Sequence, residues 1–141
     1  MAIKVTRVEV WSGEVEDKAG GLAKVLEPLA AAKANLECII GRRQAEKPGS
    51  AIVFVAPVSG TAVQAAAVKA GFHETRTVPS LRIEGEDRPG LGHSVATAIA
   101  EAGVSLRGIS TMTLGPKFVG YLGFQSTEDM MKAEGVLKRL P

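Results

Sequence analysis

The chain repeats itself. Displaced by 70 residues, Asp17-Lys18-Ala19-Gly20 falls on Asp87-Arg88-Pro89-Gly90, so both copies read acid, base, small residue or proline, glycine. Under the same displacement Val25 meets Val95, Leu29 meets Ile99, Leu36 meets Leu106, Ile39 meets Ile109 and Asn35 meets Ser105. Polarity and apolar period are kept together from a strand end, through a helix, into the next strand. A chain that repeats in this way folds as two like units, each built round one supersecondary motif.

The elements follow from local pattern. Residues Ile3 to Val15 are rich in β-branched side chains and read as one strand. Leu22, Val25, Leu26 and Leu29 recur at the spacing of an amphipathic helix. Pro28 lies inside that pattern and lacks a backbone donor, which predicts a kink or a late helix start. Leu36, Cys38 and Ile40 alternate as in a strand, and the polar stretch 42–50 (RRQAEKPGS) reads as a hairpin loop. Ala51 to Val58 is a near-continuous apolar run, expected to be a strand covered on both faces. A helix over Thr61 to Ala70 and a weaker strand over Phe72 to Val78 complete the first unit.

The second unit repeats the order. Leu81 to Glu86 is a strand, and Leu91 to Ala102 is a helix stopped by Gly103. Leu106 to Met112 and Phe118 to Phe124 are strands joined at Gly115-Pro116, and Thr127 to Leu140 is a helix. No sequence remains for a fourth strand. The fold class is therefore α+β, two ferredoxin-like βαββαβ units in tandem, residues 1–79 and 80–141, the second without an obvious final strand. One solution is that Ala2 to Arg7 pairs with the open edge of the second unit. The apolar run in the first unit also predicts that the two repeats pack together or that two chains pair.

Composition excludes several classes. Lys+Arg total 17 against 15 Asp+Glu, a formal net charge of +2, so binding to nucleic acid by bulk charge is disfavoured. Aromatic residues are only 4%, too few for a base-stacking platform. Phe118, Tyr121 and Phe124 would be split between sheet faces by their parity. No apolar run reaches the roughly 18 residues of a membrane helix. The alternating N-terminus does not read as a signal peptide. Cys38 is the one cysteine, so an intrachain disulfide or a two-thiolate metal site is excluded. Together these favour a cytoplasmic protein without a metal or cofactor.

Chemistry centres on the repeated strand–glycine–helix turn. A helix start presents free N–H groups and partial positive charge, and glycine lets a ligand approach the backbone. That suits a carboxylate. Asp17 or Asp87 beside it could hold an ammonium group, and the two together describe a free α-amino acid. The same residues also serve as ordinary caps and punctuation, and a duplicated fold duplicates its caps.

With DRPGLGHSVATAIAEAGVSLRGIS at residues 87 to 110, and its weaker copy DKAGGLAKVLEPLAAAKANLECI at 17 to 39, the chain resembles tandem ACT domains, the small-molecule regulatory modules of amino acid metabolism. The resemblance implies a non-catalytic protein that binds an amino acid at a domain interface, lined by the loop after the first strand and the start of the second. Carried over, those positions are Asp87, Arg88, Pro89, Gly90, Leu91 and Gly92 with Ser105 and Leu106. In the first copy they are Asp17, Lys18, Ala19, Gly20, Gly21 and Leu22 with Asn35 and Leu36. The second copy is the better match. A homodimer and a metabolic enzyme partner on another chain are expected, with neither nucleic acid nor membrane as a partner.

Other residues carry weaker signals. His93 falls in the first turn of a helix, and His73 in an edge strand without a visible partner. Cys38 reads as a small core residue, Trp11 as an interface or core residue, Arg42 and Arg43 as a solvated loop or a partner contact, and Met130-Met131 as helix packing. Hydrolase, zincin, nucleotide-loop and dinucleotide signatures are absent. Arg88 imitates the loop arginine of small ferredoxin-like hydrolases, but its asparagine partner is missing. The competing reading is a ligand-free regulatory or interaction subunit of a metabolic enzyme.

Overall fold

The computed structural model describes residues 2–74 and 78–141. It contains two four-stranded antiparallel sheets and four helices of eight residues or more among them. The contacts divide the chain into Glu9–Thr75, and Met1–Val8 together with Arg76–Pro141. We call these the first and the second unit.

The stretch expected as one strand is two. β1 (Lys4–Val8) and β2 (Trp11–Glu16) are separated by Glu9-Val10 and belong to different sheets. In the first unit, β2 is followed by α1 (Gly21–Ala31), β3 (Cys38–Arg43), β4 (Ser50–Ala56), α2 (Thr61–Ala70) and the two-residue β5 (His73–Glu74). Its sheet order is β3-β4-β2-β5. Of the weak strand expected over 72–78, positions 75–77 lie outside the described residues. In the second unit come β6 (Ser80–Glu86), α3 (Leu91–Glu101), β7 (Leu106–Leu114), β8 (Lys117–Phe124) and α4 (Thr127–Lys138).

β1 supplies the strand the second unit lacks. The order β1-β6-β8-β7 puts it where β5 stands in the first sheet. It pairs antiparallel with β6, Val5 facing Ile83 and Arg7 facing Leu81. Ile3, one residue before it, is 5% exposed and joins the core of Leu81, Ile83, Val95, Leu122 and Leu137. Arg7 donates from Nε and Nη2 to Glu134 on α4, at 3.2 and 2.8 Å. Residues 1–8 therefore lie with the second unit, and a linear division at 79/80, which would leave them with the first, does not describe the contacts. An open edge on β6, with unpaired N–H and C=O groups, is the physical reason.

The first unit has its own core, with Trp11, Val15, Leu29, Val53, Val55 and Phe72 buried. β4 is fully buried on one face, at Val53 and Val55, and half-buried at Ile52 and Phe54. α1 starts at Gly21 and runs through Pro28 without the late start the proline suggests. Both first helices of the repeat end in the same way. Lys33 N donates to Ala30 O and Ala34 N to Leu29 O, as Gly103 N does to Ala100 O and Val104 N to Ile99 O. The left-handed position is glycine in one copy, and in the other it is Lys33, with φ 61°. No described helix is long and apolar enough to cross a membrane.

Candidate functional site

The repeated turn has one geometry in both copies. Gly20 and Gly90 cap α1 and α3 in the left-handed region, at φ 85° and 82°, which is why glycine recurs there. Lys24 N donates to Gly20 O and Ser94 N to Gly90 O. The loops are also tied to the sheet alike: Asp17 N donates to Gly49 O at 3.0 Å, and Asp87 N to Pro116 O at 2.8 Å. No side chain caps either helix start. The first turn of α1 thus leaves N–H groups of Leu22 and Ala23 without a helical acceptor.

In the first unit a cleft of about 220 Å³ opens at this turn. It is lined by the apolar residues Val15, Leu22, Ala51 and Val53, by Gly41, and by the charged residues Glu16, Asp17, Lys18, Arg42 and Arg43. Of the first-copy residues singled out from sequence, Asp17, Lys18 and Leu22 line the cleft. Ala19, Gly20 and Gly21 form the turn beside it. Asn35 is exposed and Leu36 is half-buried against the first core, and neither lines it.

In the second copy, Asp87, Pro89, Gly90 and Gly92 are exposed and Arg88 is half-buried. Leu91 is 2% exposed, within the core. Ser105 is exposed, and Leu106 opens β7 packed against that core.

Sequence reasoning places three of the ten lining residues in the site, Asp17, Lys18 and Leu22, and misses the other seven. Arg42 and Arg43 belong to β3 and not to a loop, because Arg43 pairs in register with Ala51 and Arg42 with Ile52. Arg43 Nε lies 2.9 Å from Asp17 Oδ2, an ion pair that joins β3 to the turn. Lys18 Nζ lies 2.8 Å from Glu16 Oε2. That hydrogen bond, helped by the charge on Lys18, holds the Glu16 carboxyl below its usual range and raises the Lys18 ammonium. Among the described residues Arg42 is the lining cation without a carboxylate partner; its Nη1 donates to Gly41 O at 2.8 Å.

None of the remaining weaker candidates is among the residues that line the cleft. His93 and His73 are exposed. Cys38 is half-buried, and that burial pushes its thiol up, away from thiolate reactivity. Trp11 is buried in the first core, its indole Nε1 without a hydrogen-bond partner. Met130 is buried and Met131 exposed on α4. Phe118 and Phe124 are buried in the second core, and Tyr121 is on the opposite parity of β8.

No protein-family model and no curated protein sequence matches the chain. Solved structures do. Protein BT0572 from Bacteroides thetaiotaomicron superposes with a TM-score of 0.77 at 20% identity, over 96% of this chain and 89% of its own. The ligand-free regulatory subunit of aspartate kinase from Thermus thermophilus gives 0.68 at 15% identity, over 99% and 96%. Aspartokinase III from E. coli, in complex with aspartate and ADP, gives 0.59 at 16% identity, over 99% of this chain and 32% of the kinase. The architecture is that of two ferredoxin-like units in tandem, α+β throughout, as in these structures.

Proposed function

We propose that the chain is a non-catalytic regulatory protein that binds a free amino acid at the first unit's turn and acts on a metabolic enzyme carried on another chain. One observation carries this reading: the Asp17–Arg43 pair, 2.9 Å apart, lines a cleft together with the aliphatic side chains of Val15, Leu22, Ala51 and Val53. A carboxylate beside a guanidinium is the polar counter-image of a zwitterion. An incoming amino acid exchanges partners with both, its ammonium meeting Asp17 and its carboxylate meeting Arg43 and the open N–H groups of α1. The exchange is cheap, because Arg43 is 83% exposed in the pair and such surface pairs contribute only about 0–1 kcal/mol. The likeness to regulatory subunits of aspartate kinase supports a regulatory role. Self-association belongs to the same proposal. β7 is a nine-residue edge strand with Ile109, Met112 and Leu114 exposed.

A thermal-shift panel of the standard amino acids, followed by calorimetry, tests the reading. A ligand that binds only the native state raises the midpoint by mass action. At least one amino acid raises it, and Asp17→Asn and Arg43→Gln each abolish the shift without lowering the unliganded midpoint by more than a few degrees. No shift with any amino acid at millimolar concentration leaves the ligand-free subunit as the better account.

A further inference from the structure

The free edges of the two sheets are unlike. Among the described residues they are β3 and β5 in the first sheet, β1 and β7 in the second. β5 has two residues, and β1 has five with Lys4 and Arg7 exposed. β3 ends in the exposed Arg42 and Arg43. Short length and charge are the ordinary protections of a strand edge. β7 has neither: it runs nine residues, and from Gly108 to Leu114 no side chain is ionisable. Met112 is 68% and Leu114 77% exposed on one face of it, Ile109 47% on the other. The fold does not require apolar residues there. Displaced by 70, Met112 falls on Arg42 and Leu114 on Gln44, and Met112 opposes Val119 just as Arg42 opposes Ile52.

The edge is open in its backbone as well. Phe124 N donates to Pro79 O and Asp87 N to Pro116 O, so 79/124 and 87/116 are bonded pairs of the β6–β8 ladder. By alternation Ser110, Met112 and Leu114 bond to β8, and Ile109, Thr111 and Thr113 turn N–H and C=O outward. Resting on the self-association in the reading above, we propose that the occupant of this edge is β7 of a second copy, antiparallel about a two-fold axis at Thr111. That register sets Leu114 over Gly108 of the copy, Met112 over Ser110 and Ile109 beside Thr113. Each large exposed side chain meets a small one, and no charge meets a like charge. A Cβ on Gly108 would meet nothing within 4 Å, which leaves that space to Leu114. The same axis placed on β3, at Gly41, sets Arg42 on Ile40 and Arg43 on Ile39, a charged side chain on an apolar one each time. With the other edges short or charged, the assembly closes at two chains around one eight-stranded sheet.

Sedimentation equilibrium on the full chain tests this, with a circular-dichroism melt showing that each variant is folded. The unmodified chain is a dimer. Met112→Arg combined with Leu114→Gln gives β7 the residues that the first copy carries at those places, and weakens the dimer at least tenfold. Ile39→Lys, on the matching edge of the first unit, leaves it unchanged. In a Cys38→Ser background treated with oxidised glutathione, Thr111→Cys is cross-linked between copies and Thr113→Cys is not, because position 111 alone faces itself. A dimer unmoved by the β7 changes overturns the edge, and cross-linking at 113 in place of 111 overturns the register; self-association stands in both cases. A chain that stays monomeric removes self-association together with this inference, while the amino-acid panel decides the ligand separately.

Discussion

Ile3→Ala probes the assignment of the N-terminal strand to the second unit. The Ile3 side chain is 5% exposed, and a Cβ on Gly85 would come within 3.5 Å of its Cγ1. Truncation removes three carbons from the second core. At about 0.8 kcal/mol per buried carbon the transfer loss is about 2.4 kcal/mol. A cavity contribution adds to this, but a strand at a sheet edge can relax, so the total stays near the lower part of the roughly 2–5 kcal/mol seen for such changes. At 1.4 kcal/mol per factor of ten, the population of the opened second unit rises about 50- to 100-fold. Native-state hydrogen exchange reads this directly. Amides of β6 and β8 lose protection by that factor while those of β2 and β4, in a separate core, keep theirs. Arg7→Ala, which removes only the partly exposed pair with Glu134, has a smaller effect of about 1 kcal/mol or less. Loss of protection in β2 and β4 instead, or no loss anywhere, refutes the reasoning.

Three other perturbations separate steric, conformational and electrostatic causes. Gly21→Ala drives a Cβ against the Glu16 carbonyl and lowers first-unit stability by about 1–3 kcal/mol, whereas Gly20→Ala meets no neighbour within 4 Å and costs only the roughly 1–2 kcal/mol of a left-handed residue; urea melts order the two. Lys33→Gly relieves φ 61° at the end of α1 and raises first-unit stability by about 0.5–1 kcal/mol, read as a higher thermal midpoint, as expected from Gly103 at the matching position. Glu84 accepts from Arg82 at 2.8 Å and Lys117 at 2.9 Å, which hold its carboxyl down to about 2. A carboxyl lowered in the folded state binds its proton more readily when unfolded, so its contribution is full above the ordinary carboxylate range near 4.5 and is lost as pH falls from there to about 2. Acid titration of second-unit stability in Glu84→Gln is accordingly flatter across that window than in the unmodified chain.

What the sequence discloses here is local. Helix period, glycine at φ near 85° and the repeat itself are set by neighbours within a few positions, and α1, α3 and both turns fall where the pattern puts them. The break at Glu9-Val10 carries no such mark. Alternation continues across it, and only the empty edge of β6, some seventy residues away, decides where Lys4–Val8 goes. The cleft is hidden for the same reason. Asp17, Lys18 and Leu22 belong to the turn and can be read from it, but Gly41, Ala51 and Val53 reach it through strand register. Arg42 and Arg43 look like loop because their neighbours are polar.

Motif quality even points away from the opening. The second copy matches the repeated pattern better because Pro89, Gly90 and Leu91 satisfy what a helix start on a sheet requires, an apolar residue driven into the core included. A good structural motif is a filled one. The weaker copy has Ala19 for proline and Gly21 for leucine, and at Gly21 the Glu16 backbone stands where the leucine side chain would begin. In a duplicated fold whose helix starts can serve either as packing or as a ligand site, the copy that fits its pattern less well is the one to search for the ligand. In this chain that is the first copy, whose turn residues Asp17, Lys18 and Leu22 line the cleft.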